Sequence, residues 1–434
     1  MGMGIDTTAG GYAPQLQPSV VQQVPQPVQP APLIGGGPTA DAQLAAQIQQ
    51  LATAVADLAQ AIAAIAPVIV PSTNPYAATT TAGGPGVPGP SSPIQTSPVQ
   101  GIPVQGTPTQ QLTGTDGPGV IRKIMPKDQL EKNPKLRGKL DPPTGGKPPK
   151  GVKVHTRADG TRVLTVNLHG GAPAGKSPTQ GQDIRALRDV ARYVNAVNPD
   201  VVMVQELDDV PNGNIPHESS VFAHLIGATD MAFTPGNGAT HGLAKDSGMY
   251  TRNGYTIDHA VNVDLPDTAG LGERSAGVAA VVPPDGGAAF TVVATHLSHK
   301  PGVTASKSRK EQMQEIARVV KSIEEHGSFT YSVPGMSKQL TATGFPTDRI
   351  MLGGDLNTTQ GGRNGGIDSA DRLLGAAGLR HANDLYGTGN VHPGIDHIYA
   401  YGFGATSSAK FEFAANELPS GRPTDHPGYV TDLR

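Results

Sequence analysis

Residues 353–360 read GGDLNTTQ, directly after the apolar run RIML. Asp355 and Asn357 stand two residues apart, so an extended backbone would turn both side chains to the same side. On these residues alone, a tight turn after a buried strand also accounts for the pattern, because Gly, Asp and Asn are all turn formers. The rest of the chain repeats the signature. Polar residues stand at the C-terminal ends of apolar, strand-like runs at Asn167, Glu206, His296, Asp355, Asn357, Asp396 and Asp425–His426. If those strands converge, their ends gather two imidazoles, several carboxylates and two amides in one cleft. Carboxylate and amide oxygens are hard donors suited to magnesium. Glu206 is the strongest ligand candidate. It follows VVMVQ, where a charge at a buried strand end is costly without a partner. A salt-bridged strand terminus is the plainer alternative.

The elements that must position these residues begin near Val152. TRVLTVNLH reads as a short apolar strand ending in Asn167, and QDIRALRDVARYVNAVN places Ile184, Leu187, Ala191 and Val194 on one helix face. PDVVMVQEL is a buried-strand run. SGMYTR, GYTIDHAVNVDL, SAGVAAVV and AAFTVVATHLSH then follow as strands in close succession. Beyond them come a helix over SRKEQMQEIARVVKSI, the strand DRIMLGGDLN, a helix near SADRLLGAAG, and the strands GIDHIYA, AKFEFAANEL and HPGYVTDL. Strands in runs with occasional helices suggest packed sheets with helices outside, not strict βαβ alternation.

The first third is different. Of 434 residues, 56 are Gly and 40 Pro, concentrated toward the N-terminus, and such segments bury too little apolar surface to offset their ordering entropy. We expect residues 1–38 to be disordered, 39–67 to form a helix, 68–116 to be a Pro/Gly/Thr/Ser spacer, 117–150 a basic linker, and 151–434 the globular domain. In the helix, Leu44, Leu51, Leu58 and Ile65 occupy d positions and Ile48, Val55 and Ile62 a positions, a coiled-coil seam that predicts a homo-oligomer through residues 44–65. A lone amphipathic helix packed on the main domain is the alternative. The net charge of −3 conceals +6 over residues 117–150, where nine Lys/Arg face three Asp/Glu. That stretch either holds phosphates through a salt-sensitive field or is a solvated, Pro-broken connector. With no cysteine, disulfides, zinc thiolates and thiol catalysis are excluded. No secretory signal and no apolar run of about 20 residues is evident, so we expect no membrane span and a protein that is cytoplasmic or exported by another route.

Taken together, Asn167 after a strand, QE at 205–206, Arg274 in GERSAG, THL at 295–297, GGDLNT at 353–358, GIDHIYA at 394–400 and TDHPGYV at 424–430 resemble the endonuclease/exonuclease/phosphatase superfamily, the deoxyribonuclease-like metal-dependent phosphoesterases. The motifs run in the family's order over about residues 152–434. The resemblance implies an α+β fold, a four-layered α/β/β/α sandwich of two packed mixed β-sheets with outer helices, here preceded by a long low-complexity arm. It also implies Mg2+, with Mn2+ as substitute, held by Glu206 beside Asn167, with Asp425 approaching from another strand. Asp355 would take a proton from the attacking water and Asn357 would orient it. His426 would pair with Asp396, a contact that raises an imidazole's pKa. His296 would bind the phosphate or protonate the leaving group, and Arg274 would stabilise developing charge. Which of Asp355 and the Asp396–His426 pair is the general base stays open. Tyr250 reads as a core or edge residue. His169, His299, His381 and His397 read mostly as structural or solvent-facing, and His224 and His259 carry no signal. Many relatives carry Trp where Val166 stands, and residues 326–347 form an insertion that could shape access.

These expectations make hydrolysis of phosphodiester bonds the leading function, with nucleic acid as substrate. The same motifs serve phospholipid, sphingomyelin and inositol-phosphate substrates, although eight Phe and no Trp offer little for membrane insertion. A non-catalytic, multimeric surface or interaction protein on a retained scaffold is the reading from another class.

Overall fold

A computed structural model describes residues 115–144, 160–176, 182–207, 215–235, 246–268, 270, 274–333, 338–386, 394–413 and 420–434. The segments expected as disordered (1–38) and coiled coil (39–67), and the spacer up to residue 114, lie outside them. The strands in chain order are β1 (Thr161–Asn167), β2 (Val201–Leu207), β3 (Asp230–Thr234), β4 (Asp246–Thr251), β5 (Thr256–Leu265), β6 (Arg274–Val282) and β7 (Phe290–His296). They continue as β8 (Ser328–Ser332), β9 (Gln339–Thr343), β10 (Ile350–Asp355), β11 (Arg380–His381), β12 (Asp396–Tyr401), β13 (Ala405–Phe411) and β14 (Gly428–Leu433). The helices are α1 (Lys127–Leu130), α2 (Ile184–Val197), α3 (Glu218–Ile226), α4 (Val303–His326), α5 (Ala370–Gly375) and α6 (Ala382–Tyr386).

Two mixed sheets form, in the orders β13-β14-β1-β2-β4-β3 and β11-β12-β10-β7-β6-β5, with β8 and β9 as a separate hairpin. β1 is buried along its whole length, and its side chains alternate between two cores. Val163 meets the facing sheet, with Val201, Met203, Met249, Ala279, Val292, Ala294 and Met351. Leu164 and Val166 point outward against Leu187, Val190 and Val194 of α2 and Phe222 of α3. The second sheet buries its outer face under Met313, Ile316 and Val320 of α4 and Leu374 of α5. This is the expected four-layered sandwich. α2 starts where Asp183 accepts a hydrogen bond from the Arg185 amide at 2.9 Å and stops at Asn198 in the left-handed region, which caps both ends.

Three details depart from expectation. The glycines before Asp355 serve packing: a Cβ on Gly353 would sit 2.2 Å from Met203 of the facing sheet, and one on Gly354 (φ +152°) would sit 1.9 Å from the Thr295 carbonyl oxygen. Close approach there is of strand to strand, in place of a turn. Within the insertion 326–347, β8 and β9 lay Phe329, Tyr331 and Ala342 on the outer core of the second sheet. Finally, the described part of the basic stretch is a packed strap, not a solvated linker. Leu130, Leu136 and Leu140 are at most 3 % exposed in the core beside α2 and α3. Upstream, the Gly117 amide donates to Ala260 O of β5 at 2.8 Å and Ile121 pairs with Phe233 of β3. β3 and β5 are the sheets' edge strands, so the strap covers edges that would otherwise be open. Arg122 stitches them, donating to Met231 O at 2.8 Å, to Ile257 O at 2.6 Å and to Asp230 at 2.9 Å.

Candidate active site

The cluster forms because strand direction and register agree. β1 and β2 run parallel with Asn167 opposite Gln205, and Asp355 stands opposite both His296 and Asp396. Only some of the site residues stand at C-terminal strand ends. Arg274 opens β6, Asp396 opens β12, and Asp425–His426 precede β14. Each of those strands is antiparallel to a strand whose end bears a site residue, so all arrive at one edge of the sandwich.

Asp355 is the hub. Its Oδ2 accepts from Asn167 Nδ2 at 3.1 Å and lies 3.6 Å from His296 Nε2 and 3.7 Å from His426 Nε2. Asn167 Nδ2 also donates to Glu206 Oε1 at 2.9 Å, so two carboxylates share one amide. Glu206 reaches the cluster from a break in the β2 register, with its φ at +57°. Burial pushes its carboxyl above the usual range against the pull of Asn167 and His426. Asp355, 1 % exposed, is pushed up to about 7 by burial, then by Asp396 and Glu206, with His426 opposing.

His426 Nδ1 meets Asp396 Oδ2 at 3.0 Å and Oδ1 at 3.2 Å. Burial disfavours the charged ring, yet Asp396, Asp355 and Asp425 outweigh it and raise the pKa to about 10. His296 goes the other way. Burial, followed by Arg274 and His426, holds it well below the ordinary imidazole value. Arg274 Nη1 contacts His296 Nδ1 at 2.8 Å. A guanidinium only donates, so Nδ1 accepts and Nε2 carries the hydrogen. That Nε2 is buried without a hydrogen-bond partner and faces Glu206 Oε1 at 3.7 Å.

Asn357 is placed differently from the period-two argument. Its φ of +53° ends the extended run, its amide donates to Asp355 Oδ1 at 2.8 Å, and its side chain donates to Leu297 O at 3.1 Å. The turn and the site are therefore the same structure. Asp425 is 47 % exposed and 4.0 Å from His426 Nε2, at the rim. Tyr250 is fully buried and donates to Ser219 O.

Sequence reasoning missed two histidines and one support. His169, at φ +51° just before two glycines, holds Asp425 Oδ1 at 3.2 Å and lies 3.9 Å from Glu206. His299 Nδ1 meets the other Arg274 nitrogen at 3.0 Å. Arg309 pairs with Asp368 at 2.6 Å, both fully buried, and donates to Ser298 O at 2.9 Å, so α4 fixes the loops after β7 and β10. The signal was present as Arg309 and Gln312 three apart among apolar helix positions. His397, at 2.8 Å from Thr358 O, is structural, as expected.

Glu206, Asp355 and His426 each offer an atom within 4.8 Å of the others, a group able to hold a metal ion. A buried and a half-buried carboxyl sharing one amide, beside an unpartnered imidazole N–H, fit a hard divalent cation carrying a phosphate. No family model and no curated protein matches the chain. Similar solved structures include an endonuclease/exonuclease/phosphatase from Beutenbergia cavernae DSM 12333, with 21% identity over 63% of this chain and 71% of that one and a TM-score of 0.44. D. rerio TDP2 complexed with single strand DNA product shares 16% identity over 64% and 100% of the two chains, with a TM-score of 0.44. The human Nocturnin catalytic domain with bound sulfate shares 16% over 63% and 93%, with a TM-score of 0.45.

Proposed function

We propose that this chain is a metal-dependent phosphodiesterase of the endonuclease/exonuclease/phosphatase type, acting as a nuclease. The observation that carries the reading is the Asp355 hub, where a carboxylate, an amide and two imidazoles from four strand ends or loops converge within 3.7 Å. Glu206, with Asn167 hydrogen-bonded to it and Asp425 at the rim, would hold Mg2+ or Mn2+. The bound cation would supply Lewis-acid neutralisation of the phosphate oxygens.

The two histidines have opposite tasks. His426, held cationic by Asp396, is a poor proton acceptor at neutral pH and a good partner for a phosphoryl oxygen. His296, neutral with Nε2–H exposed to the cluster, donates a hydrogen bond to the same group. Asp355, poised near neutrality, is then the better general base. It takes the proton of a water whose oxygen attacks phosphorus as the ester P–O bond breaks, and the departing alkoxide takes up a proton from solvent. This arrangement supports Asp355 over the Asp396–His426 pair.

Plasmid nicking and hydrolysis of a bis-aryl phosphate test the proposal. Activity should disappear in EDTA and return with Mg2+ or Mn2+. Full activity in EDTA would overturn it. Activity on sphingomyelin or inositol phosphates with none on DNA would move the substrate class.

A further inference from the structure

The packed strap changes what its charge can do. Leu130, Leu136 and Leu140 anchor it in the core beside α2 and α3, so the residues between them are presented at fixed positions. Lys132, Lys135, Arg137 and Lys139 are all exposed there. Two of the strap's three acids are engaged: Asp141 pairs with Lys127 at 2.5 Å, and Glu131 accepts from the Gly138 amide at 3.2 Å, while Asp128 stands exposed on α1. Cations on a mobile linker would lose side-chain and backbone entropy on binding, whereas anchored ones have already lost the backbone part.

The surface leads to the site. Arg188 of α2 donates to the carbonyls of Lys139 and Asp141, which fixes the strap to the first half of that helix. Arg185, one turn earlier, has 68 % of its side chain exposed, with its guanidinium paired to Asp183 at 2.7 Å. The Asp183 amide donates to Gly171 O at 2.9 Å, in the turn His169–Gly171 that begins two residues after Asn167. We propose that Lys132, Lys135, Arg137 and Lys139, continued by Arg185, form a docking surface for the phosphate backbone of a nucleic acid, outside the catalytic cluster. This rests on the nuclease reading and extends it. A lipid surface is the weaker fit, because the large hydrophobics exposed among the described residues are Val303 and Tyr386, neither of them on the strap.

The test uses the full chain and a fluorescent single-stranded oligonucleotide in EDTA, so that binding is read without cleavage. Wild type should bind with a steep salt dependence. Lys135→Glu/Arg137→Glu/Lys139→Glu should bind at least tenfold more weakly and flatten the log–log salt slope by about 2, as losing three phosphate contacts at roughly 0.7 each requires. Turnover of a bis-aryl phosphate by the triple variant should stay within twofold of wild type, because no altered residue touches the cluster. Equal affinity and slope in variant and wild type overturn the proposal. So does a wild type that ignores the oligonucleotide but sediments with anionic vesicles. Salt-dependent binding by a chain that hydrolyses no phosphodiester in Mg2+ would overturn the catalytic reading and leave the surface standing.

Discussion

Asp355 and His426 sit 3.7 Å apart, and their pKa values are pushed in ways that can be measured. Asp355→Asn and His426→Ala should each cut turnover by roughly a hundredfold or more, the scale of losing a positioned acid–base group. His326→Ala, at the exposed end of α4, should remain within a few-fold of wild type. The pH dependence follows from the signs. The folded pKa of His426, about 10, lies above the ordinary 6.5, so its stabilisation is fully present below that ordinary value and is lost as pH rises toward 10. In EDTA, the melting-temperature deficit of His426→Ala should therefore be largest near pH 6 and shrink by pH 10. Asp355 is raised to about 7 from 3.8, so the stability it contributes is fully present below about 4 and is lost as pH rises to about 7. The melting temperature of Asp355→Asn should gain on wild type between pH 5 and pH 8 in EDTA. A difference independent of pH would remove the electrostatic account of the cluster.

At the scale of elements, the site depends on how closely β10 lies to its neighbours. Gly354→Ala would place a methyl group against the Thr295 carbonyl oxygen at a φ that disfavours side chains. We expect a loss of about 1–3 kcal/mol, the range for overpacking a core, read by denaturant unfolding. Turnover should fall with it, because Thr295 precedes His296 and Gly354 precedes Asp355. An unchanged midpoint would show that β7 and β10 can separate without cost. The Arg309–Asp368 pair acts on the same loops from outside. It is buried at both ends, so removing one partner leaves an uncompensated charge.

For the whole molecule, the strap decides where the folded unit begins. Removing residues 1–114 should leave the melting temperature unchanged. Removing residues 1–144 strips Leu130, Leu136 and Leu140 from the core and uncovers the edges of β3 and β5. That truncation should melt lower and aggregate, as light scattering would show. Leu136→Ala in the intact chain should cost about 2–5 kcal/mol, the range for a buried leucine. A stable, monomeric 145–434 fragment would return the strap to a linker. His224→Ala should also lower the melting temperature, since its ring meets Met125 O at 2.8 Å and helps hold the strap.

Local pattern was enough to read the strands and the residues at their ends. Apolar runs such as VVMVQEL and RIMLGGDLN announce buried strands through composition, and an acid or amide closing each run is conspicuous because burial makes it costly. That logic, with the family resemblance, is enough to gather Asn167, Glu206, His296, Asp355, Asp396 and His426 into one expected site. It fell short wherever the answer lay in what a residue touches at long range. Gly353 and Gly354 read as loop glycines, yet Met203 of the facing sheet and Thr295 of the neighbouring strand occupy the space their Cβ atoms would need. Arg274 and His299 were separate letters 25 positions apart until β6 and β7 paired and brought them to 3.0 Å. The stretch from 117 to 144 read as a linker because Pro and Lys outweigh its few leucines. Only the grooves of α2 and α3 and two open sheet edges show why those leucines are buried. Sequence fixes what each segment prefers alone. Which cationic ring faces which carboxylate, and which glycine has no room, are properties of the packed sandwich, since burial and Coulomb energies depend on distances the chain order does not contain.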